Sequence, residues 1–183
     1  MELETTRLLL RPLRDDDAHA MTSALNNLNV SSNLARVKFP YMLADAQAFI
    51  PLQRGFDPRS KICAITFRCA PDELIGMVSY EYDINKDDAI FGYWLRECCW
   101  KMGIMSEAAS AIVHYAFTQG QATTLLSAYH NDNPNSWHIL RRLGFVETQH
   151  TMSFCLAENR NVPSTQLKLT AEAWAAQQKS RAA

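Results

Sequence analysis

Apolar and polar positions change their spacing several times along the chain, and each change marks an element. Leu8-Leu9-Leu10-Arg11-Pro12-Leu13 reads as a first strand. Asp15-Asp16-Asp17 then offers negative charge to the N-terminus of a helix expected to run through about Leu25. Asn26 to Asn33 is polar and turn-prone, and a second helix is expected after Pro40, from about Ala44 to Ile50, with Pro51 near its end. Beyond Pro58, the segments Lys61 to Cys69, Leu74 to Tyr82 and Ala89 to Leu95 are rich in β-branched and aromatic residues and predict three strands. Pro71-Asp72 and Asn85-Lys86-Asp87-Asp88 supply the turns between them, which makes the three antiparallel neighbours.

Met105, Ala108, Ala109, Ile112 and Ala116 recur at three- and four-residue spacing, the stripe of a helix over Ile104 to Thr118 that Gly120 stops. Thr124 to Tyr129 predicts a strand, and Asn133-Pro134 opens a further helix ending at Gly144. Phe145 to Cys155 and Ser164 to Leu169 complete the strands, and the tail suits a frayed helix. With no repeat or Gly/Ser linker, residues 1–170 are expected to be one domain and residues 171–183 a tail. Strands alternating with helices around a strand-helix-strand unit predict an α/β or α+β sheet covered by helices.

Bulk composition narrows the function classes. The chain has 183 residues, 48% hydrophobic and 20% charged, with a net charge of −1. That is ordinary for a globular domain and gives no basic excess for nucleic acid or an anionic membrane. The three-leucine run near the N-terminus is too short for a secretory signal, and no segment approaches the roughly 20 apolar residues that cross a bilayer. The five cysteines are odd in number and lack CxxC spacing; adjacent Cys98 and Cys99 are not a usual zinc pair. Free thiols, no metal and a cytoplasmic location are the expectation.

Two helix starts hold the candidate chemistry. In Trp100-Lys101-Met102-Gly103-Ile104-Met105-Ser106 a glycine stands between a strand and a helix. The first N–H groups of a helix lack internal partners, so a turn that gathers them holds phosphate through the backbone. Lys101 adds a positive charge. Gly103 alone is open to two readings: a bend, or a place where a ligand oxygen comes close to the chain. Neither GxxxxGK[ST] nor GxGxxG is present. In Asn133-Pro134-Asn135-Ser136, Asn133 suits a cap and Pro134 the first helical position, an ordinary helix start on its own.

Over almost its whole length the sequence resembles the GNAT family of acetyl-CoA-dependent N-acetyltransferases, in particular the subgroup acting on ribosomal-protein N-termini. The segments that carry the likeness are TTRLLLRPLRDDDA, FPYMLADAQAFI, ELIGMVSY, IFGYWL, WKMGIMSEA and NPNSWHILRRLGF. The resemblance implies a mixed, mostly antiparallel sheet of six to seven strands, flanked by helices and splayed at the acetyl-CoA site. It implies that the turn, a variant of Q/R-x-x-G-x-G/A with Trp100 first and Met105 last, holds the coenzyme A pyrophosphate. Lys101, Met102, Gly103, Ile104, Met105 and Ser106 are then cofactor-binding, together with backbone groups near Trp94 and Leu95 and the helix start at Asn133. Many relatives carry a tyrosine where this chain has Leu140, which leaves Ser136 as the donor to the departing thiolate.

Glu81, on the strand ahead of the turn, is the candidate base; an exposed strand glutamate explains it as well. Arg141 and Arg142 suit either the adenosine 3′-phosphate or a solvated helix face, while Trp100 and Trp137 most simply pack the core. The acceptor implied is a primary amine, foremost a protein N-terminus, with a small-molecule amine as the alternative enzyme and an acyl-CoA-binding module as the alternative class. Leu25 to Phe39 is expected to wall the acceptor side. A monomer or homodimer is expected.

Overall fold

The computed structural model describes residues 2–53, 59–82 and 88–182. Eight strands form one sheet: β1 (Leu3–Glu4), β2 (Leu8–Pro12), β3 (Lys61–Phe67), β4 (Gly76–Tyr82), β5 (Ala89–Leu95), β6 (Thr124–His130), β7 (Val146–Cys155) and β8 (Arg160–Thr170). The order across the sheet is β1-β2-β3-β4-β5-β6-β8-β7. Every neighbouring pair is antiparallel except β5 and β6. The mixed, mostly antiparallel sheet is as expected, with β1 as an additional strand. β1 is two residues long and is defined by pairing Leu3 with Leu10 and Glu4 with Leu9, which no local pattern announces.

The described residues also form six α-helices, α1 (Asp17–Leu25), α2 (Leu28–Ser31), α3 (Leu43–Leu52), α4 (Ile104–Thr118), α5 (Pro134–Leu143) and α6 (Ala171–Ala182), and a 3-10 turn at Glu97–Cys99. α2 replaces part of the turn-prone stretch, because Asn27 caps it by accepting from the amide of Asn29 at 2.9 Å. α3 carries Pro51 inside its last turn. β3 stops at Phe67, where a bridge to Ala70 turns the chain, so Arg68 and Cys69 lie outside the strand. Pro58 and Asn85-Lys86-Asp87 lie outside the described residues.

The sheet separates two cores. On one face α4 lays Ile104, Met105, Ala108, Ala109, Ile112, Val113 and Ala116 against Leu8, Ile65, Val78, Tyr80, Phe91 and Leu125. On the other, α1 and α3 pack Met21, Ala24, Leu25, Ala46 and Ile50 around Ala64, Leu74 and Trp94. Arg11 and Asp17, 1% and 2% exposed, form a two-pronged ion pair at 2.7 and 2.8 Å beside the second core. α6 docks through Trp174, whose ring lies 5.5 Å from those of Phe117 and His114. No described helix is long and apolar enough to cross a membrane.

Candidate active site

β5 and β6 are joined only at Ala89–Leu125 and Ile90–Leu126, and beyond those pairs the strands part. The Ser127 hydroxyl closes the fork by donating to the Phe91 carbonyl at 3.0 Å. On the other side of β5, Arg96 N–H donates to Ile75 O at 2.8 Å, and the register pairs Trp94 with Met77 and Leu95 with Gly76. Backbone groups alternate sides along a strand. The Trp94 amide therefore faces β4, whereas the amides of Tyr93 and Leu95 face the gap. Of the two residues named from the sequence, Leu95 presents its amide to the cleft and Trp94 contributes a buried side chain, 6% exposed, to the cleft wall.

The gap widens into a cleft of about 660 Å³. Phe91 to Leu95 line one side, Ser127 to Tyr129 the other, and the starts of α4 and α5 close its ends. The loop around α2 adds Asn29, Val30, Ser32, Asn33, Leu34 and Ala35 to the wall. Lys101, Gly103, Ile104, Met105, Ser106, Asn133 and Ser136 all line the same cleft.

At the α4 start, Gly103 takes φ +73° and Lys101 φ +61°, two left-handed residues separated by Met102. Gly103 precedes the first helical residue, so the amides of Ile104, Met105 and Ser106 belong to the turn whose N–H groups have no helical acceptor. Ile104 and Met105 are 1% and 6% exposed and point into the core, so the bulk at Met105 does not cover those amides. The Trp100 indole donates to Leu95 O at 2.8 Å and ties the turn to the end of β5. Met102 is 53% exposed and lies outside the cleft lining; its carbonyl accepts from Arg7 Nη1 at 3.0 Å. Arg7 is held by Glu107, with Nε–Oε2 at 2.7 Å, and Glu107 also accepts from Thr5 Oγ1 at 2.6 Å.

At the α5 start, Asn133 accepts from the Ser136 amide at 3.1 Å, the cap expected of it. This cap sets Ser136 in the first turn, where its hydroxyl lies 2.8 Å from the Tyr93 hydroxyl. Burial pushes the Tyr93 phenol well up. The role of Tyr93 is not legible in the sequence, because its partner is on another element and nothing in IFGYWL distinguishes its hydroxyl from a packing ring. Leu140 is fully buried, so its place on α5 faces the core.

Glu81 does not line the cleft. It pairs with Ile90, near the closed end of the fork, and accepts from Ser79 Oγ at 2.8 Å. Trp137 is also displaced from expectation: it is half-buried, donates to Glu147 at 2.9 Å and stacks under Arg141 at 5.0 Å instead of filling the core. No group of acidic, histidine or cysteine side chains able to hold a metal occurs among the described residues.

The site suits a long thioester cosubstrate with phosphates. Strand amides without a strand neighbour match the amide groups of a pantetheine arm, and the opening of α4 with Lys101 matches a pyrophosphate. Comparison with known proteins agrees. Residues 7–146 match the acetyltransferase (GNAT) domain family. The ribosomal-protein-serine acetyltransferase of Escherichia coli K12 is 36% identical over 77 residues, which span 41% of this chain and 42% of that protein. A ribosomal L7/L12 α-N-protein acetyltransferase in complex with coenzyme A superposes with a TM-score of 0.78 at 18% identity, covering 94% of this chain and 99% of that one. The spermidine N-acetyltransferase of Vibrio cholerae, in complex with CoA and spermine, gives 0.80 at 18% identity, covering 93% and 99%. The chain belongs to the GNAT acetyltransferase family of acetyl-CoA-dependent N-acetyltransferases.

Proposed function

We propose that the acceptor is a protein N-terminal amine and that Ser136 assists departure of the coenzyme A thiolate. The observation that carries the acceptor reading is the make-up of the cleft. Among its described lining residues Asp132 is the one carboxylate and Lys101 the one permanent cation, while Asn29, Ser32, Asn33, Ser127, Asn135 and Ser136 are uncharged hydrogen-bonding groups. A polyamine with several charges calls for several carboxylates, whereas a peptide backbone calls for donors and acceptors of this neutral kind. The position of Glu81 agrees. With that carboxylate directed to Ser79, an acceptor that is already partly neutral is favoured, and an α-amine titrates near about 8 against about 10.4 for lysine.

Placement supports the remaining roles. Gly103, Ile104, Met105 and Ser106 offer backbone N–H groups to the phosphates, with Lys101 as added charge and Met102 anchored to Arg7 from behind. The Leu95 amide, beside that of Tyr93, faces the pantetheine side of the cleft, and Trp94 supports it from the second core. Asn133 positions Ser136 by capping α5. Acetyl-CoA supplies an acyl group already activated as a thioester. A thiol leaving group near about 8.5 needs only a hydrogen bond, which a serine hydroxyl provides.

The test is thiol release from acetyl-CoA with a panel of serine- and alanine-initiated peptides, spermidine and free amino acids. Peptide turnover with the others near background is expected. Turnover of spermidine or an amino acid in preference to every peptide would overturn the acceptor reading.

A further inference from the structure

The closest polar contact made by Ser136 in the cleft is with another hydroxyl. Tyr93 Oη lies 2.8 Å from Ser136 Oγ, where either hydroxyl could donate, and it can also donate to Ser136 O at 3.3 Å, the longer and weaker of its two contacts. Two hydroxyls at that separation share one proton-mediated bond, so the direction of the bond decides which proton remains available. We propose that Tyr93 donates to Ser136 Oγ and is thereby the residue that positions Ser136, turning the serine proton toward the cleft. This inference rests on the reading of Ser136 given above and adds the group through which Ser136 is oriented.

Three observations support the direction. The Tyr93 ring is fixed from below, with its centroid 5.4 Å from that of Phe91, which in turn stacks on Phe145 at 5.6 Å. The hydroxyl therefore meets α5 from a rigid strand. Burial holds the phenol protonated well above its ordinary range, which keeps it a donor throughout the working pH range. On the serine side, the backbone N–H is already committed to Asn133 Oδ1 at 3.1 Å, so the first turn of α5 is fixed and only the Ser136 hydroxyl rotor is left to set. A lone serine hydroxyl in a cleft visits several rotor positions; one that accepts from Tyr93 keeps its own proton for another acceptor. No proton leaves Tyr93, and Ser136 donates one hydrogen bond.

Tyr93 thus stands in for the orienting part of a relay whose donor is Ser136. The sequence IFGYWL places the ring, and the cap Asn133 places the serine, from elements 43 residues apart.

The test uses coenzyme A itself and the ultraviolet absorbance of its thiolate, read on the full-length protein. Wild type, Tyr93→Phe, Ser136→Ala and the double variant are saturated with coenzyme A and titrated. His138 and Asp132 also face the cleft, so differences between variants are read, not absolute values. The bound thiol in wild type is expected to titrate about one pH unit below the free thiol, the size of one hydrogen bond to a charged sulfur. Tyr93→Phe is expected to lose at least half of that shift, and the double variant to match Ser136→Ala, because both substitutions act on the same bond. Coenzyme A affinity at pH 6, where the thiol is protonated, should stay within about twofold of wild type.

A Tyr93→Phe titration that overlays wild type while Ser136→Ala moves would make Tyr93 a packing residue and overturn the inference alone. If Ser136→Ala also overlays wild type with coenzyme A bound, the proposed role of Ser136 fails, and this inference with it. Tyr93→Phe keeps the ring that packs on Phe91; should it not fold, Tyr93→Leu removes the same hydroxyl and gives the same reading.

Discussion

Arg7 and Glu107 form an ion pair of 2.7 Å that joins the start of β2 to the first turn of α4, 100 residues away. Through Nη1 Arg7 also donates to the carbonyl of Met102, so one side chain braces the turn that opens α4 from outside the cleft. Burial pushes the Glu107 carboxyl up, but hydrogen bonds from Thr5 and from the Arg7 backbone and side chain outweigh it, and its pKa is lowered. A carboxyl with a lowered folded value contributes stability that is complete above its unfolded value, near about 4.3, and is lost as pH falls through the folded value.

Glu107→Gln is accordingly expected to lower Tm at pH 7 by about 2–4 °C, the effect of roughly 1 kcal/mol in a domain of this size. The gap between variant and wild type should close as the pH is taken below 4, which thermal melts across an acid series will show. A gap that holds constant through that range would mean the carboxylate charge is not what braces the turn.

Gly76 sits against the strand that floors the cleft. A Cβ at this position would stand 2.6 Å from the Trp94 carbonyl and 2.9 Å from Leu95 Cδ1, and the backbone oxygen has nowhere to yield cheaply. Gly76→Ala should cost about 1–3 kcal/mol in urea unfolding and weaken acetyl-CoA binding, because β5 must shift where the Leu95 amide faces the gap. Calorimetric titration with acetyl-CoA checks the second effect; unchanged affinity would separate this end of β5 from cosubstrate binding.

The two left-handed residues of the turn are expected to answer oppositely to substitution. Gly103→Ala meets only Arg7 Nη2 at an ordinary 3.5 Å, so its cost is the backbone itself, about 1–2 kcal/mol. Lys101→Gly relieves the same kind of strain and should leave Tm unchanged or slightly raised. It should also flatten the salt dependence of coenzyme A affinity, since a charge at the turn proposed to hold the phosphates is gone. A salt dependence equal to that of wild type would remove Lys101 from the binding set.

Asp17→Asn tests the buried ion pair. The guanidinium of Arg11 would remain buried with a neutral partner, and about 3–5 kcal/mol of unfolding free energy should be lost. The double change Arg11→Met with Asp17→Leu should cost less than that, since no charge is left stranded; equilibrium urea curves distinguish the two.

The elements most legible in the sequence are those whose pattern is complete within themselves. Ala89–Leu95 and Ile104–Thr118 carry dense β-branched or aromatic content in one case and an unbroken apolar stripe in the other, and the structure has both with those bounds. The turn between them was readable as a helix opening, but the left-handed backbone of Lys101 was not, since a lysine gives no sign of a positive φ. What could not be read depends on pairing across the chain. β1 exists through two register pairs, and Tyr93 matters through a hydroxyl on α5. Glu81 faces Ser79, two residues along its own strand, a choice of hydrogen-bond partner that alternation alone does not decide.

The fork between β5 and β6 divides the sheet into two plates. Seven register pairs join β4 to β5 and seven join β6 to β8, but two join β5 to β6. Opening of the β6-β8-β7 plate therefore needs few sheet hydrogen bonds to break at the seam. A ligand that lies in the fork and bonds to both banks acts as the missing rungs. Its arrival should slow amide hydrogen exchange in β7 and β8, strands that contribute no residue to the cleft, and so convert a two-plate sheet into one cooperative unit.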